Sequence, residues 1–515
     1  MPITLDWSGL ASRLRLAITV AALASALTLA ACGDGSSVGS SGSNGAAFAA
    51  VRAKDRWLVD STGRVLMVRG VNQVNKLPPY DHASLGFSDK DAELLRDYGF
   101  NAVRLGVMWA AIEPTRGQYD SNYLESRRGT IRLLAKYGIY TLLDFHQDGF
   151  STKNGGSGFP EWATLGKGNR SSLPFPLFYF DTVNNAIAQD FEAFWNNEQS
   201  VQDAYLAMLA MTVRTLGGET GVLGVEFINE PFPGVEWQKC GSVDFTNSQP
   251  WNFIEGCKDF DSGPLTAFYQ RAIDETRKVN REIMVVYDEL GIGGVGAPTH
   301  IGSLLVSNKA FSWHNYLFGD FNSIFKHTQE HQAASGSALM LTEFGANENP
   351  GKWIEVVELS EKYLMSWFFW AYSNNPPYLF PLQGNLPPDG RLQGLVYDLS
   401  QAFDASNLSS TRPVNLDMNR LESLSRPYAQ LTAGVPQTIS FDPQSKRTVI
   451  EWSYDKYVGS SSETVIYVPR HHYPNGYSVA VEGCTLVAGQ SNGLRLRVSN
   501  GNAPDSKGKV VITTL

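Results

Sequence analysis

Three features are scarce in this 515-residue sequence: cysteine, clustered basic residues and long apolar runs. The 4 cysteines form no C-x-x-C pair and no H-E-x-x-H motif occurs, so we expect no metal site. The formal net charge is −9, and no run rich in lysine or arginine offers a footprint for a phosphate backbone. These absences argue against a zinc protein and against a nucleic-acid partner.

The longest apolar run, residues 16–31, follows Arg13 and Arg15 and is too short and too rich in small residues for a good membrane-spanning helix. It ends in "LAAC", which resembles a bacterial lipobox. Residues 1–31 are therefore predicted to be a lipoprotein signal peptide, with Cys32 as the lipid-modified residue. An ordinary secretory signal with a chance cysteine is the alternative. The Gly/Ser-rich residues 32–50 are predicted to be a flexible tether.

This reading makes the protein an exported lipoprotein of the cell envelope or surface, held at a membrane by its lipid and monomeric. Export implies an oxidising compartment. Cys240 and Cys257 flank one loop, so we predict a disulfide between them, with Cys484 left unpaired.

The sequence is rich in aromatic residues, with 12 Trp, 21 Tyr and 27 Phe, and from residue 65 it alternates short β-branched runs with segments of helical period. The predicted strands are 66–72, 101–107, 140–146, 222–229, 283–289, 310–316, 338–345 and 366–372. Eight strand-helix units predict a TIM barrel over residues 51–425. An open doubly wound sheet is the alternative, although no Gly-rich phosphate loop follows the first strand.

After about residue 420 the pattern changes to short strands separated by Pro, Gly, Asn and Ser turns. Residues 426–515 are therefore predicted to form a small C-terminal β-sandwich domain. The segments 147–200, 231–264 and 373–415 are too long for ordinary connections and are predicted to be elaborated loops.

Two glutamates lie at predicted strand ends: Glu230 in "INEP", after the fourth strand, and Glu343 in "LTEFG", at the end of the seventh. Closure of a barrel brings such strand ends to one cleft. A pair of carboxylates across a cleft is the arrangement that glycosidic hydrolysis requires, with one as the acid and the other as the nucleophile in a retaining enzyme. Arg104, at the end of the second strand, is placed to keep the nucleophile charged. Either glutamate alone could equally be a solvated carboxylate or part of a salt bridge.

The set of strand-end residues resembles glycoside hydrolase family 5 of clan A. The residues that carry this resemblance are Arg104, His146, Asn229-Glu230-Pro231, His314, Tyr316, Glu343 and Trp370. More narrowly, "DFHQDGFS", "GFPEWAT", "INEPFPG" and "LTEFGA" resemble the endoglycoceramidase branch, whose members cleave between glycan and ceramide in glycosphingolipids.

The resemblance implies a role for each matching residue. Glu230 matches the acid/base, Glu343 the nucleophile, and Asn229 the amide that binds the sugar 2-OH. The remaining matches line the sugar subsite: His146, Asp148, His314, Tyr316, the platform Trp370 and, with less support from the motif, Lys76. The resemblance implies no cofactor. A histidine at a strand end can instead be a core residue, Trp370 can be plain core, and Asp148 can simply stabilise a turn.

The predicted function is a retaining β-glycosidase of the endoglycoceramidase type, with a glycolipid or another β-glycoside as substrate. Apolar residues in the loops 159–180 and 374–384 are candidates to contact ceramide, or they pack against the barrel. The alternatives are a β-glucanase or β-glucosidase acting on a polysaccharide or steryl glucoside, and a sugar-binding lipoprotein without turnover.

Overall fold

A computed structural model of the protein describes residues 48–172, 177–181, 185–243, 251–252, 255–316, 320–345, 350–373, 395, 416–454, 458, 462–487, 495–500 and 507–515. The predicted signal peptide, Cys32 and most of the predicted tether lie outside these residues, as does the predicted apolar loop 374–384. Across the described residues, the structure contains no helix that is both long and apolar enough to cross a membrane.

The strands in chain order are β1 Val51–Lys54, β2 Trp57–Asp60, β3 Val65–Leu66, β4 Arg69–Gln73, β5 Ala102–Val107, β6 Tyr140–Phe145, β7 Val222–Glu226, β8 Ser242–Val243, β9 Trp251–Asn252, β10 Met284–Asp288, β11 Lys309–Asn315, β12 Ala338–Phe344, β13 Ser366–Phe369, β14 Tyr428–Thr432, β15 Val435–Asp442, β16 Arg447–Ser453, β17 Glu463–Tyr467, β18 Tyr477–Glu482, β19 Cys484–Leu486, β20 Arg495–Asn500 and β21 Lys507–Thr514.

The α-helices are α1 Asp89–Asp97, α2 Trp109–Ile112, α3 Ser121–Lys136, α4 Ala186–Trp195, α5 Val201–Leu216, α6 Lys258–Phe260, α7 Thr266–Val279, α8 Phe321–Ser335, α9 Pro350–Lys362 and α10 Met418–Leu424. Helix α1 illustrates how the sequence defines an element. It begins after Ser88, which forms a capping box with Asp91, and it buries Ala92 and Leu95 against the barrel.

Eight parallel strands close into a barrel in the order β4, β5, β6, β7, β10, β11, β12 and β13. Each predicted barrel strand overlaps one of these, so the TIM-barrel prediction is confirmed. Two strands end three residues earlier than predicted, β7 at Glu226 and β13 at Phe369. Asn229, Glu230 and Trp370 therefore lie just beyond the strands rather than within them.

The interior of the barrel changes character along the strands. Its N-terminal half is filled by apolar side chains such as Ala102, Leu142, Met284 and Met340. Its C-terminal half holds buried polar and charged side chains: Asn72, Arg104, Asp144, Glu226, Asp288, Ser312 and Thr342. Charged groups buried this deeply require partners, and these side chains pair with one another. The floor of the active site is therefore polar.

The C-terminal strands form two antiparallel sheets that share one core. The sheet β15-β16-β21-β18 faces a sheet in which β14, β17, β20 and β19 are joined by β1, β2 and β3. Ile450, Trp452, Ile466 and Val498 belong to this shared core. The sequence-based division assigned residues 51–66 to the barrel, whereas the structure pairs β3 with β14 through Leu66 and Leu431. The periodicity of a short sequence segment cannot predict pairing between strands that are far apart in the chain.

Cys240 and Cys257 are buried and joined by a disulfide on either side of the β8–β9 hairpin. Cys484 is free and half-buried, with its Sγ 3.5 Å from the carbonyl oxygen of Lys509.

Candidate active site

The two candidate catalytic carboxylates meet at the carboxyl end of the barrel. Glu343 lies in β12, and Glu230 follows β7 by four residues. One carboxylate oxygen from each, together with a ring nitrogen of His314, lie within 4.8 Å of one another. Glu343 is buried, and the Glu230 side chain is 16% exposed. This close spacing suits direct attack by one carboxylate on a sugar carbon, because it leaves too little room for a water molecule beside the sugar.

Both oxygens of Glu343 are held by side-chain donors. Arg104 Nη1 donates to Oε1 at 2.6 Å, and the Tyr316 hydroxyl donates to Oε2 at 2.5 Å. Burial and the neighbouring Glu343 raise the pKa of Tyr316 well above 10, so its hydroxyl remains a donor. A carboxylate stabilised in this way is suited to act as the nucleophile.

Arg104 is fully buried and organises the floor of the site. Its Nε donates to Glu226 Oε2 at 2.5 Å, and its Nη2 donates to Asn229 Oδ1 at 2.7 Å. Burial opposes its charge, yet the pKa of Arg104 is raised well above its ordinary value by the carboxylates of Asp144, Glu226 and Glu343. Because Asn229 Oδ1 accepts from Arg104, the orientation of this amide is set before substrate arrives.

Glu230 contacts an imidazole on the neighbouring side of the mouth. His314 Nδ1 lies 2.7 Å from Glu230 Oε1 and 3.7 Å from Glu343 Oε2. Although burial disfavours a charged ring, the carboxylates of Asp288, Glu343 and Glu230 raise the pKa of His314 well above its ordinary value. A protonated His314 thus donates to Oε1 of Glu230.

A second cluster forms the rim beside Trp370. Asp148 Oδ2 lies 2.6 Å from Lys76 Nζ and 3.0 Å from His146 Nε2. Lys76 Nζ lies 4.5 Å from the centre of the Trp370 ring, and the His146 ring stacks on Trp370 at 5.4 Å. Burial works against both charges in the Asp148–His146 pair, but partner charges lower the pKa of Asp148 to about 2 and raise that of His146 to about 9. A half-buried ring with polar neighbours is a suitable sugar platform.

Two family models match the chain. The model for "Cellulase (glycosyl hydrolase family 5)" covers residues 59–376, and that for "Glycoside hydrolase family 5 C-terminal domain" covers residues 426–512. The chain belongs to glycoside hydrolase family 5. The protein is therefore a glycoside hydrolase, and the two glutamates lie where such an enzyme needs them.

Known relatives resemble this family 5 hydrolase over most or part of its length. Endoglycoceramidase I of Rhodococcus hoagii is 29% identical over 462 residues, which is 88% of this chain and 87% of that one. A glucosylceramidase of Cryptococcus neoformans is 28% identical over 249 residues, 36% of this chain and 34% of that one. The solved ganglioside GM3 complex of endo-glycoceramidase II from Rhodococcus sp. has a TM-score of 0.68 at 20% identity, covering 89% and 99%, and shows the same fold.

The structure of this glycoside hydrolase brings together all ten predicted catalytic and sugar-binding residues: Lys76, Arg104, His146, Asp148, Asn229, Glu230, His314, Tyr316, Glu343 and Trp370. It also adds side chains that sequence reasoning missed: Asn72, Asp144, Gln147, Glu226, Asp288 and Glu289. A signal for some of these was present, since "GVEF" and "VVYDE" place acids inside otherwise apolar strands.

Two triads contain ligand atoms close enough together to hold an ion: Glu226, Asp288 and His314, and Glu230, His314 and Glu343. In the first triad Ser312 Oγ lies 2.7 Å from Glu226 and 3.0 Å from Asp288, and Arg104 neutralises Glu226. The second triad contains the two catalytic carboxylates themselves. Hydrogen bonds and charge pairing account for both triads. The hydrolysis by Glu230 and Glu343 has no step assigned to a metal ion.

Proposed function

We propose that this protein is a retaining endoglycoceramidase, which hydrolyses the bond between the glycan and the ceramide of a glycosphingolipid. The observation that carries the mechanism is the close approach of Glu230 and Glu343 on either side of His314. The choice of substrate is supported by the endoglycoceramidase relative, which matches both the barrel and the C-terminal domain.

The first chemical step uses both glutamates. Glu343 attacks the anomeric carbon to form a glycosyl-enzyme ester, while Glu230 gives its Oε2 proton to the oxygen of the departing ceramide. Asn229 is placed beside the reacting sugar, where a hydrogen bond to the 2-OH strengthens in the transition state. Arg104 and Tyr316 hold the two oxygens of Glu343 in place until attack.

The second step releases the glycan. Glu230, now ionised, takes a proton from a water molecule that attacks the same carbon, and Glu343 leaves as a carboxylate. The anomeric configuration is inverted twice and so retained. His314 contacts Glu230 in both steps, because its bond is to Oε1 and the proton moves at Oε2.

The loop 159–180 contains apolar residues that were candidates to contact ceramide, and the structure describes several of them. Phe159, Phe178 and Tyr179 are buried and pack into the core of the barrel domain. In this state they stabilise the wall next to Glu230 rather than presenting an open groove. Ceramide contacts are therefore best sought by experiment.

The deciding experiment is product analysis by mass spectrometry with glucosyl-, galactosyl- and lactosylceramide, a steryl glucoside and cello-oligosaccharides. We expect free ceramide and intact glycan, and no product from Glu343→Gln or Glu230→Gln under the same conditions. Cleavage of cello-oligosaccharides alone would keep the two-glutamate mechanism and reject the glycolipid substrate. Turnover by Glu343→Gln at the wild-type rate would reject the nucleophile.

A glucosylceramidase or steryl β-glucosidase is the second candidate, because part of the chain matches a fungal glucosylceramidase. The same panel separates the two functions. An enzyme of this second type would cleave glucosylceramide or the steryl glucoside and leave lactosylceramide intact, whereas the first would release lactose from lactosylceramide.

We further propose that the enzyme is a monomeric exported lipoprotein, anchored at the cell envelope or surface through Cys32. Support comes from the sequence "LTLAAC" and the Gly/Ser-rich residues that follow it. Cys32→Ser is expected to move the enzyme from the membrane fraction to the soluble fraction without changing its specific activity. Retention of the Cys32→Ser variant in the membrane fraction would contradict this anchor.

A further inference from the structure

The backbone of Glu230 has an unusual conformation. Its φ is +41°, in the left-handed region that non-glycine residues seldom adopt. The next residue is Pro231, and a proline normally drives the residue before it into an extended conformation. Such a conformation persists only where surrounding contacts impose it. The direction of the Glu230 side chain depends on it, because φ sets the course of the Cα–Cβ bond.

Two buried side chains hold the main chain of Glu230. The Glu230 N–H donates to Asp288 Oδ2 at 2.8 Å, and Gln147 Nε2 donates to the Glu230 carbonyl oxygen at 2.9 Å. Gln147 Nε2 also donates to the carbonyl of Asn229 at 2.9 Å, while its own Oε1 accepts from the N–H of Phe150 at 3.1 Å. Neither Gln147 nor Asp288 is exposed to solvent. We refer to Gln147 and Asp288 as the backbone clamp.

Asp288 is itself firmly positioned. Its Oδ1 lies 3.0 Å from Ser312 Oγ and accepts from the N–H of Glu289 at 3.0 Å. Its Oδ2 lies 3.6 Å from Nε2 of His314, the residue whose Nδ1 contacts the Glu230 carboxyl. Asp288 therefore contacts Glu230 by two routes. It accepts the main-chain N–H directly, and it lies next to His314, whose ring contacts the Glu230 carboxyl.

We propose that Gln147 and Asp288 are positioning residues that hold the main chain of Glu230 in its left-handed conformation, so that its carboxyl group points at the oxygen of the leaving alcohol. This inference rests on the proposed acid/base role of Glu230. Proton transfer requires hydrogen-bond distance between the acid and the leaving oxygen. A small rotation of the Glu230 main chain would therefore lower the rate most for substrates whose leaving group needs a proton.

The test compares two glycosides of the same sugar that differ in their need for an acid. The alcohol of a ceramide or alkyl glycoside departs only when its oxygen is protonated. The 2,4-dinitrophenolate of a dinitrophenyl glycoside departs without protonation. We expect Asp288→Leu to lower kcat/KM for the alkyl glycoside roughly 100-fold, with a far smaller loss for the dinitrophenyl glycoside. Azide should partly restore turnover of the latter by replacing the water that Glu230 normally activates.

Three further variants complete the experiment. Gln147→Leu should show the same leaving-group dependence and carries the test by itself if Asp288→Leu does not fold. Asp288→Asn keeps the size of the side chain but has one acceptor oxygen where Asp288 accepts the N–H groups of both Glu230 and Glu289, so it should show the same leaving-group dependence with a smaller loss than Asp288→Leu. Asp60→Leu removes another fully buried carboxylate, which bonds the Thr62 N–H in the turn after β2, and should lower Tm without altering the ratio between substrates.

Glu230→Gln is the reference for the proposed function. If Glu230→Gln discriminates between the two substrates and folded Asp288→Leu and Gln147→Leu do not, the clamp is rejected and the acid/base survives. If Glu230→Gln itself fails to discriminate, the acid/base role and the clamp are both rejected. Leaving-group dependence in all three variants, with a smaller loss in Asp288→Asn than in Asp288→Leu, establishes the clamp.

Discussion

The pKa values of the buried carboxyl groups in the active site shift in different directions, although these groups lie on neighbouring strands. Burial opposes ionisation of Asp144, yet Arg104 and His146 lower the pKa of that carboxyl below its ordinary value. Burial instead raises the pKa of Asp288 to about 8, and burial together with Asp288 raises that of Glu289 well above its ordinary range. Burial dominates for Glu226 as well, because its pKa is raised although Arg104 Nε lies 2.5 Å from its carboxylate. Glu343 is paired with the guanidinium of Arg104.

One prediction at this scale concerns the hydroxyl on the nucleophile. Tyr316→Phe removes the 2.5 Å bond to Glu343 Oε2. Hydrogen bonds to charged groups contribute about 1.5–3 kcal/mol, so kcat/KM should fall roughly 10- to 100-fold. Steady-state kinetics measures this. Tyr428→Phe, which loses a 2.6 Å bond to the Gly99 carbonyl far from the glutamates, should leave kcat/KM unchanged. Equal kinetics for Tyr316→Phe and the wild type would contradict the role of Tyr316.

A second prediction concerns Asp261, a buried carboxyl in the π-helical turn before α7. Burial raises its pKa from 3.8 to about 7, although it accepts the N–H of His300 at 2.8 Å. Between pH 4 and pH 7 the folded protein keeps a proton that the unfolded chain releases, so the free energy of unfolding falls as pH rises, by at most about 1.4 kcal/mol per pH unit.

Asp261→Asn should remove this decline. Denaturant unfolding at pH 4 should give similar midpoints for the variant and the wild type, and at pH 8 the variant should be the more stable. A variant that is equally destabilised at both values would show that Asp261 is needed as an ionised group instead.

At the scale of elements, the loops after the barrel strands hold more of the site than the strands themselves. Glu230 and Trp370 lie beyond the ends of β7 and β13, and Lys76 and Asp148 follow β4 and β6. The strands contribute the floor, where Arg104 joins β5 to β6, β7 and β12 through Asp144, Glu226 and Glu343. A rigid polar floor beneath adaptable loops is how this fold supports chemistry.

The disulfide belongs to this scale because it closes the β8–β9 hairpin. Cys240 and Cys257 are 17 residues apart, so replacing both by alanine should lower the free energy of unfolding by about 3 kcal/mol in the chain-entropy account. Urea denaturation measures the difference. A reductant should destabilise the wild type and leave the double variant unaffected, and Cys484→Ala should behave like the wild type because that thiol is free. No difference between double variant and wild type would contradict a stabilising role.

At the scale of the whole molecule, the C-terminal sheets are packed on the amino-terminal side of the barrel. Tyr467 donates to the carbonyl of Asp97 at 2.8 Å and Tyr428 to that of Gly99 at 2.6 Å, both at the end of α1. Arg69 at the start of β4 lies 5.1 Å from the Trp367 ring centre and 5.3 Å from that of Tyr428. These contacts lie away from the catalytic mouth, so the C-terminal domain packs against the barrel at a distance from the two glutamates.

Gly99 provides a test of this packing. Its φ is +81°, and a Cβ there would lie 2.4 Å from the Tyr467 ring. Gly138 is a matched control, since its φ is +77° but a Cβ would meet nothing within 4 Å. Gly138→Ala should cost only the backbone penalty of about 1–3 kcal/mol. Gly99→Ala should lower Tm further, as measured by calorimetry, with kcat/KM unchanged in the protein that remains folded. Equal Tm values for the two variants would show that Tyr467 is free to move aside.

The sequence alone determined the eight barrel strands, the two glutamates at strand ends and the cysteine pair. These follow from local patterns: β-branched runs mark strands, helical periods separate them, and parallel closure obliges strand ends to share one mouth. The predicted ends of β7 and β13 were wrong because apolar character continues past the strands, through Phe227 and Ile228 in one case and Trp370 in the other. The main chain there still makes single hydrogen bonds to neighbouring strands, such as that from the Trp370 N–H to the Phe344 carbonyl.

Only the tertiary structure decided which groups the catalytic residues touch. Arg104 bonds Glu343 across 239 residues of sequence, and Asp288 bonds the Glu230 main chain across 58. The tertiary structure also pairs β3 with β14. It holds Glu230 in a left-handed conformation that a residue before proline seldom adopts. Contacts of this kind arise when the barrel closes, and the energy that holds them comes from partners distant in sequence, which no local pattern encodes.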